Sequence, residues 1–183
     1  MKKMRILFYI CIGSFILYGS GCTSNKVLGE IDAALQLELA DHKVWESLDE
    51  NTPEQLALKS SSVYKEMMNG ELTPEDSFEK MREMATEQTL QSMSEQELSL
   101  INSIRVTSEQ IQGENDAVES FDYSICIEDS EYEGRVTIYR IQNMKSGKQY
   151  YFKQDFIEEN GTWKIYGDNV ENPFSLKKGG IVK

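Results

Sequence analysis

Histidine occurs once in this 183-residue chain, and cysteine and proline three times each. A single histidine cannot supply the common His-rich zinc sets, and it leaves little choice of base for a nucleophile. Three cysteines fall short of the even, dense set of a secreted disulfide scaffold. No glycine-rich nucleotide loop is present, and no basic run is interleaved with aromatics. Positive charge is scarce: 19 Lys and Arg face 31 Asp and Glu, giving a net charge of −12 and a pI near 4.6. Such acidity argues against nucleic acid as a partner, because its phosphates would be repelled. What is present is an apolar fraction of 39% with 10% aromatics, too high for a disordered chain. The length suits one domain with a real core plus appendages.

The N-terminus reads as a processing signal. Lys2, Lys3 and Arg5 precede an uncharged, mostly apolar run of thirteen residues from Ile6 to Tyr18. A bilayer span needs about 20 helical residues, so the run matches a secretory h-region instead. The stretch LYGSGCTSN, residues 17–25, resembles the lipobox of a bacterial lipoprotein signal peptide. Ser20 and Gly21 supply the small residues before Cys22, Gly19 stands where that family favours Leu, and Thr23-Ser24-Asn25 forms the polar exit. The resemblance implies that residues 1–21 are removed and that Cys22 carries the lipid. Acyl chains such as palmitate, two or three together at about 0.8 kcal/mol per buried CH₂, make such attachment effectively permanent. Cys11 then leaves with the signal, and Cys126 remains unpaired; without lipidation, a Cys22–Cys126 bridge is the competing account. Loss of three cations leaves 16 bases against the 31 acids, a mature net charge of −15. An anionic lipid surface would push such a domain out into solvent.

The mature chain divides into a helical half and a strand half. Leu28, Ile31, Leu35, Leu39, His42 and Trp45 recur every three or four residues, which predicts a helix over about 26–48. On that apolar stripe His42 reads as a packed residue. Thr52-Pro53-Glu54-Gln55 and Thr73-Pro74-Glu75-Asp76 each place Thr at an N-cap and Pro at the first helical position. The first helix points Leu56, Val63, Tyr64 and Met67 inward and stops at Asn69-Gly70; the second carries Phe78, Met81 and Ala85. Ser94-Glu95-Gln96-Glu97 predicts a shorter helical turn leading to Leu98 and Ile101. The methionines at helical spacing read as core filling.

Beyond Ile101 the period changes to two. Ile104–Ile111 is a strand candidate, closed by Gly113-Glu114-Asn115-Asp116. Strands follow over 117–128, 135–142, 149–157 and 162–166, with Asn160-Gly161 as the strongest hairpin signal. Short turns require antiparallel pairing, so the expectation is an α+β fold: N-terminal helices packed on an antiparallel sheet of about four to five strands. From Asn169 the chain reads as a loose polar tail.

The helix end MMNGE (67–71), the segment IQGENDAVESFDYSI (111–125) and the closing ENGTWKIYG (159–167) resemble the nuclear transport factor 2-like, or ketosteroid isomerase-like, superfamily, in its uncharacterised lipoprotein branch. The resemblance covers the α+β domain at 53–168; with the signal at 1–21, an anchor segment and helix at 22–52 and the tail at 169–183, the chain is expected to have four segments. The resemblance also implies that the sheet is curved and cone-like around the helices, with a pocket at its open end, where related enzymes place an Asp, Tyr or His. Asp122, Asp155, Tyr123 and Tyr151 are the strand residues that could serve there, and alternation alone does not say which line a cavity. No cofactor or metal set is written, and Cys126 has no evident activating base. Two readings stay open: a non-catalytic binding or assembly module for a small ligand, peptide or envelope protein, or a small isomerase, dehydratase or hydrolase-like enzyme. Both sit on the extracytoplasmic face of a bacterial membrane through the lipid on Cys22.

Intact mass of the protein taken from its native membrane is expected to show Cys22 as the new N-terminus carrying a diacylglyceryl group. Cleavage elsewhere with a free Cys22 would overturn the lipobox reading.

Overall fold

A computed structural model describes residues 35–178 of the chain. It shows an α+β fold in which helices cover one face of an antiparallel sheet. The lipidation position Cys22 lies outside the described residues.

The two Thr-Pro starts form as their local chemistry dictates. Thr52 Oγ1 accepts from the Gln55 amide at 3.2 Å to open α2 (Pro53–Met68), and Thr73 Oγ1 accepts from the Asp76 amide at 3.0 Å to open α3 (Pro74–Met84). Helix α2 ends at Asn69, and Gly70 follows with φ +76°, the left-handed exit that glycine adopts without strain. A third Thr cap, Thr86 on the Thr89 amide, opens α4 (Glu87–Glu95).

The next helix corrects two expectations. Helix α5 runs Glu97–Gly113, so Ile104–Ile111 is helical and not a strand. Its buried positions Leu100, Ile104, Thr107 and Ser108 recur every three or four residues, and α5 packs on α2 and α3. Burial against two helices outweighs the β-propensity of its Ile, Val and Thr residues. A helix does open at Ser94–Glu97, with Gln96 at its N-cap position, but it is the seventeen-residue α5 and not a short turn, and Leu98 on it is 84% exposed.

Strands β2 (Val118–Tyr123), β3 (Ile127–Glu128), β4 (Arg135–Met144), β5 (Gln149–Glu159) and β6 (Thr162–Val170) form the antiparallel sheet. Their order is β2-β4-β5-β6, with β3 also on β4. Directly paired residues share a face. Val136, Ile138, Arg140, Gln142 and Met144 of β4 therefore point toward the helices, with Phe152, Gln154 and Phe156 of β5. In β6, Tyr166 is an extra residue between the Ile165–Phe156 and Gly167–Asp155 pairs. This bulge brings both Ile165 and Asp168 to the helix side, although they are three apart in sequence. Expected strand 117–128 breaks at Ser124, and Ile125 is 41% exposed instead of sharing the buried face of Tyr123.

Both ends of the described chain depart from expectation. Where a helix over 26–48 is predicted, Gln36–Leu39 is a strand, β1, and only His42–Trp45 is helical, α1; residues 26–34 lie outside the described residues. The reason is pairing: β1 runs parallel to β7 (Ser175–Lys178) and bonds to Tyr123 and Ile125 on its other side. Asp41 then caps α1 by accepting from the Lys43 amide. Over 170–178 the expected loose tail is ordered instead. Phe174, 5% exposed, stands edge-on to Tyr139 and Tyr151 on the outer sheet face, with ring centroids 5.3 and 5.2 Å away.

Asn160 and Gly161 have φ of 54° and 76°, a two-residue turn with positive φ at both central positions. A Cβ at Gly161 would meet no atom within 4 Å, so its cost is purely that of the backbone. Gly161→Val is expected to lower stability by about 1–3 kcal/mol in chemical denaturation. An unchanged midpoint and slope would contradict this turn assignment.

Candidate functional site

The helix-facing side of the sheet holds a full charge where alternation would put another apolar residue. Arg140 of β4 is 1% exposed. Its guanidinium lies between the rings of Tyr64, Phe121 and Phe152, at 5.4, 5.3 and 4.8 Å from their centroids. Nη1 donates to Ser61 Oγ at 3.0 Å, and Nη2 donates to Asp168 Oδ2 at 3.2 Å. Gln154 Nε2 donates to the same Asp168 oxygen at 3.0 Å and to Ser60 Oγ at 3.3 Å. The cluster joins α2, β2, β4, β5 and β6 through named side chains.

Burial is the largest influence on Asp168 and raises its pKa; the Arg140 charge and the Gln154 bond oppose it without reversing it. Burial likewise raises the Tyr123 pKa, against a hydrogen bond with Ser61. The network is incompletely satisfied: Arg140 Nε, Gln142 Oε1, Gln154 Oε1 and Asp168 Oδ1 are buried without a hydrogen-bond partner. Each such atom is costly in a low-dielectric interior unless a bound molecule completes it.

Two spaces adjoin this cluster. A cavity of about 50 Å³ lies between α2, α3, α4 and β6, walled by Met81, Met84, Met93 and Ile165, with Ser60, Thr89, Asp168 and Asn169 among its polar members. A larger open cleft of about 870 Å³ runs from the start of α2 to the β5–β6 hairpin, past Gln55, Leu56, Lys59, Met84 and the half-buried Trp163.

The register separates the four strand residues singled out from sequence. Tyr123 pairs with Arg140 and faces the helices, whereas Asp122, Tyr151 and Asp155 share the outer face. There Asp122 accepts from Asn143 Nδ2 at 2.8 Å, and the Tyr151 hydroxyl donates to Gln149 Oε1 at 3.1 Å. Asp155 accepts from Thr137 Oγ1 at 2.6 Å and pairs with Arg135 and Lys153, each at 3.4 Å. These three are held in lateral contacts of the sheet. Arg140, Gln154 and Asp168 escape the sequence reading. For Arg140 a signal exists, since it shares the parity of Val136 and Ile138; for Asp168 the bulge at Tyr166 erases it.

His42 opens α1 with its ring 6.4 Å from that of Tyr123, away from the Arg140 contacts. Among the described residues Cys126 is unpaired, and no group of three or more His, Cys, Asp or Glu is placed to hold a metal. Burial first, then Glu54 and Glu128, push the Cys126 thiol up to about 12. Likewise no helix among them is long and apolar enough to cross a membrane. The chain matches no protein-family model, no curated protein and no solved structure.

Two measurements follow. Iodoacetamide at pH 8 is expected to alkylate Cys126 in the folded protein roughly 10²–10³ times more slowly than in the denatured chain, because little thiolate forms. Equal rates would contradict the buried thiol environment. Asp168, with a folded pKa above its unfolded one, keeps its proton in the native state over a window where the unfolded chain has lost it. Its contribution is thus fully present below the unfolded pKa and is lost as pH rises through the folded one. The stability of the parent relative to Asp168→Asn is therefore expected to fall as pH rises through that window. A flat or rising difference would contradict the raised pKa.

Proposed function

We propose that the chain is an extracytoplasmic lipoprotein, held to a bacterial membrane through lipid on Cys22, whose folded domain binds or assembles and does not catalyse. The observation that carries this reading is how the interior charges are spent. Arg140 is enclosed by three rings and Ser61, and the one Asp168 oxygen that it bonds is also held by Gln154. A general acid or base has to reach a reacting atom in a substrate-sized space. The space beside Asp168 is about 50 Å³, whereas the roomy cleft at Trp163 is open and its two carboxylates, Glu50 and Glu83, are exposed to solvent instead of enclosed in a dry pocket. Small ligands, peptides and envelope proteins are the partner classes that such surfaces suit.

Membership of the nuclear transport factor 2-like superfamily belongs to the same proposal. Its support is the order of elements, with α2 to α5 preceding the antiparallel run β2 to β6. The enzyme reading has one observation in its favour, the raised pKa of Asp168 at a cavity wall.

The test is a pair of measurements on the full chain. Cys22→Ala is expected to move the protein from the membrane fraction to the soluble fraction. A screen of esters, enolisable ketones and hydroxy acids is expected to show no turnover above background. Turnover removed by Asp168→Asn would replace the binding reading with the enzymatic one.

A further inference from the structure

The β5–β6 hairpin end of the sheet carries two open hollows that meet. The cleft of about 870 Å³ beside the start of α2 and a second hollow of about 380 Å³ beside the start of α4 share Glu83, Thr162 and Lys164 as lining residues. Together they form one groove alongside β6, the last strand of the sheet. Half-buried Trp163 and Leu56 give it an apolar part. Its carboxylates are Glu50, Glu83, Glu87 and Glu159, which come from the segment before α2, from α3, from α4 and from β5.

Charge is matched unevenly around this groove. Other acids on α2 and α3 are paired, Glu66 with Lys80, Glu75 with Arg105 and Glu79 with Arg82. None of the four groove carboxylates forms an ion pair with a described residue. Two of the groove's cations are engaged: Lys164 Nζ donates to the Glu83 carbonyl at 2.8 Å, and Arg82 lies against Glu79 and the Phe78 ring. Lys59 is then the open ammonium set against four carboxylates, a field that favours an incoming cation. The edge of β6 calls for no added strand at this point. Asn51 donates to the Gly161 carbonyl and accepts from the Trp163 amide, and the Ile165 carbonyl accepts from the Thr86 amide. Recognition here therefore passes through side chains and not through main-chain pairing. A metal ion would need the carboxylates gathered at one point, and among the described residues no group of three is so placed. A second copy of the chain would bring its own net charge of −12 against them.

We propose that this groove docks an extended basic segment of a partner protein, with lysine or arginine side chains on Glu50, Glu83, Glu87 and Glu159 and an apolar side chain over Trp163 and Leu56. The assignment rests on the binding reading and gives it a partner class: a polypeptide in which cationic and apolar side chains alternate. It does not depend on the lipid anchor.

The probe is the capped peptide Lys-Leu-Lys-Phe-Lys-Leu-Lys, titrated by calorimetry into the full chain at low ionic strength. Saturable binding that weakens as salt rises is expected. The same peptide with Ser in place of Leu and Phe is expected to bind about tenfold more weakly, since the contact with Trp163 and Leu56 is lost. Glu83→Gln with Glu87→Gln is expected to weaken binding about fivefold, the worth of two exposed ion pairs. Glu109→Gln with Glu119→Gln removes the same charge from α5 and from β2, at the opposite edge of the sheet. That variant is expected to keep its affinity within about twofold. All four of these side chains are exposed, so the variants keep the fold. Equal losses from the two double variants would mean attraction to the acidic domain as a whole and would overturn the proposal. No binding, or equal affinity for the serine peptide, would overturn it as well. Its failure leaves the binding reading standing, since that reading falls only to turnover dependent on Asp168.

Discussion

The structure is organised around a guanidinium in its interior. Taking an ion out of water costs several kcal/mol even after relaxation, and Arg140 recovers this from a carboxylate, a serine hydroxyl and three aromatic faces. Those partners come from α2, β2, β5 and β6, so the charge is tolerable only when all four elements are in place around β4. A one-residue slip of β4 would carry Arg140 to the outer face and bring Tyr139 or Ile141 inward. Many apolar residues could fill the same volume, but none would penalise wrong assemblies as strongly. The buried pair thus acts more on which structure forms than on how stable it is.

Around that centre the helices are placed by inexpensive local devices. Thr52, Thr73 and Thr86 each satisfy an amide at a helix start, and Asn69 fixes the end of α2 against β2 by exchanging hydrogen bonds with Val118 in both directions. Ser108 Oγ reaches across to the Met67 carbonyl, tying α5 to α2. The methionine-rich side of this packing, Met81, Met84 and Met93, is where the interior remains incompletely filled.

What could be read in advance follows the range of the forces involved. Thr-Pro caps and the Asn160-Gly161 turn depend on a few neighbouring residues, and they stand where the sequence places them. The β4–β5–β6 meander was equally legible, because short turns leave antiparallel pairing as the only choice. Helix α5 was not, since its isoleucines satisfy either period until α2 and α3 are present to bury one stripe. Residues 36–39 alternate weakly and became a strand only because Ser175–Lys178 and Ile125 offer partners. The candidate site was half hidden for a similar reason. Arg140 carried the right parity, but Trp163 and Ile165 facing inward predict Asp168 outward, and only the extra residue at Tyr166 reverses that.

The parallel pair of β1 and β7 has a bearing on the order of events when the chain is made. The first strand described waits for a partner far along the chain, Gln36 pairing with Ser175. Contacts of such sequence separation form late, because the loop-closure entropy must be met before they stabilise anything. Phe174, which covers Tyr139 and Tyr151, arrives on the same late segment. A chain emerging N-terminus first can therefore assemble its helices and sheet with the outer face still bare, and closes that face only once Phe174 and the strand after it are free.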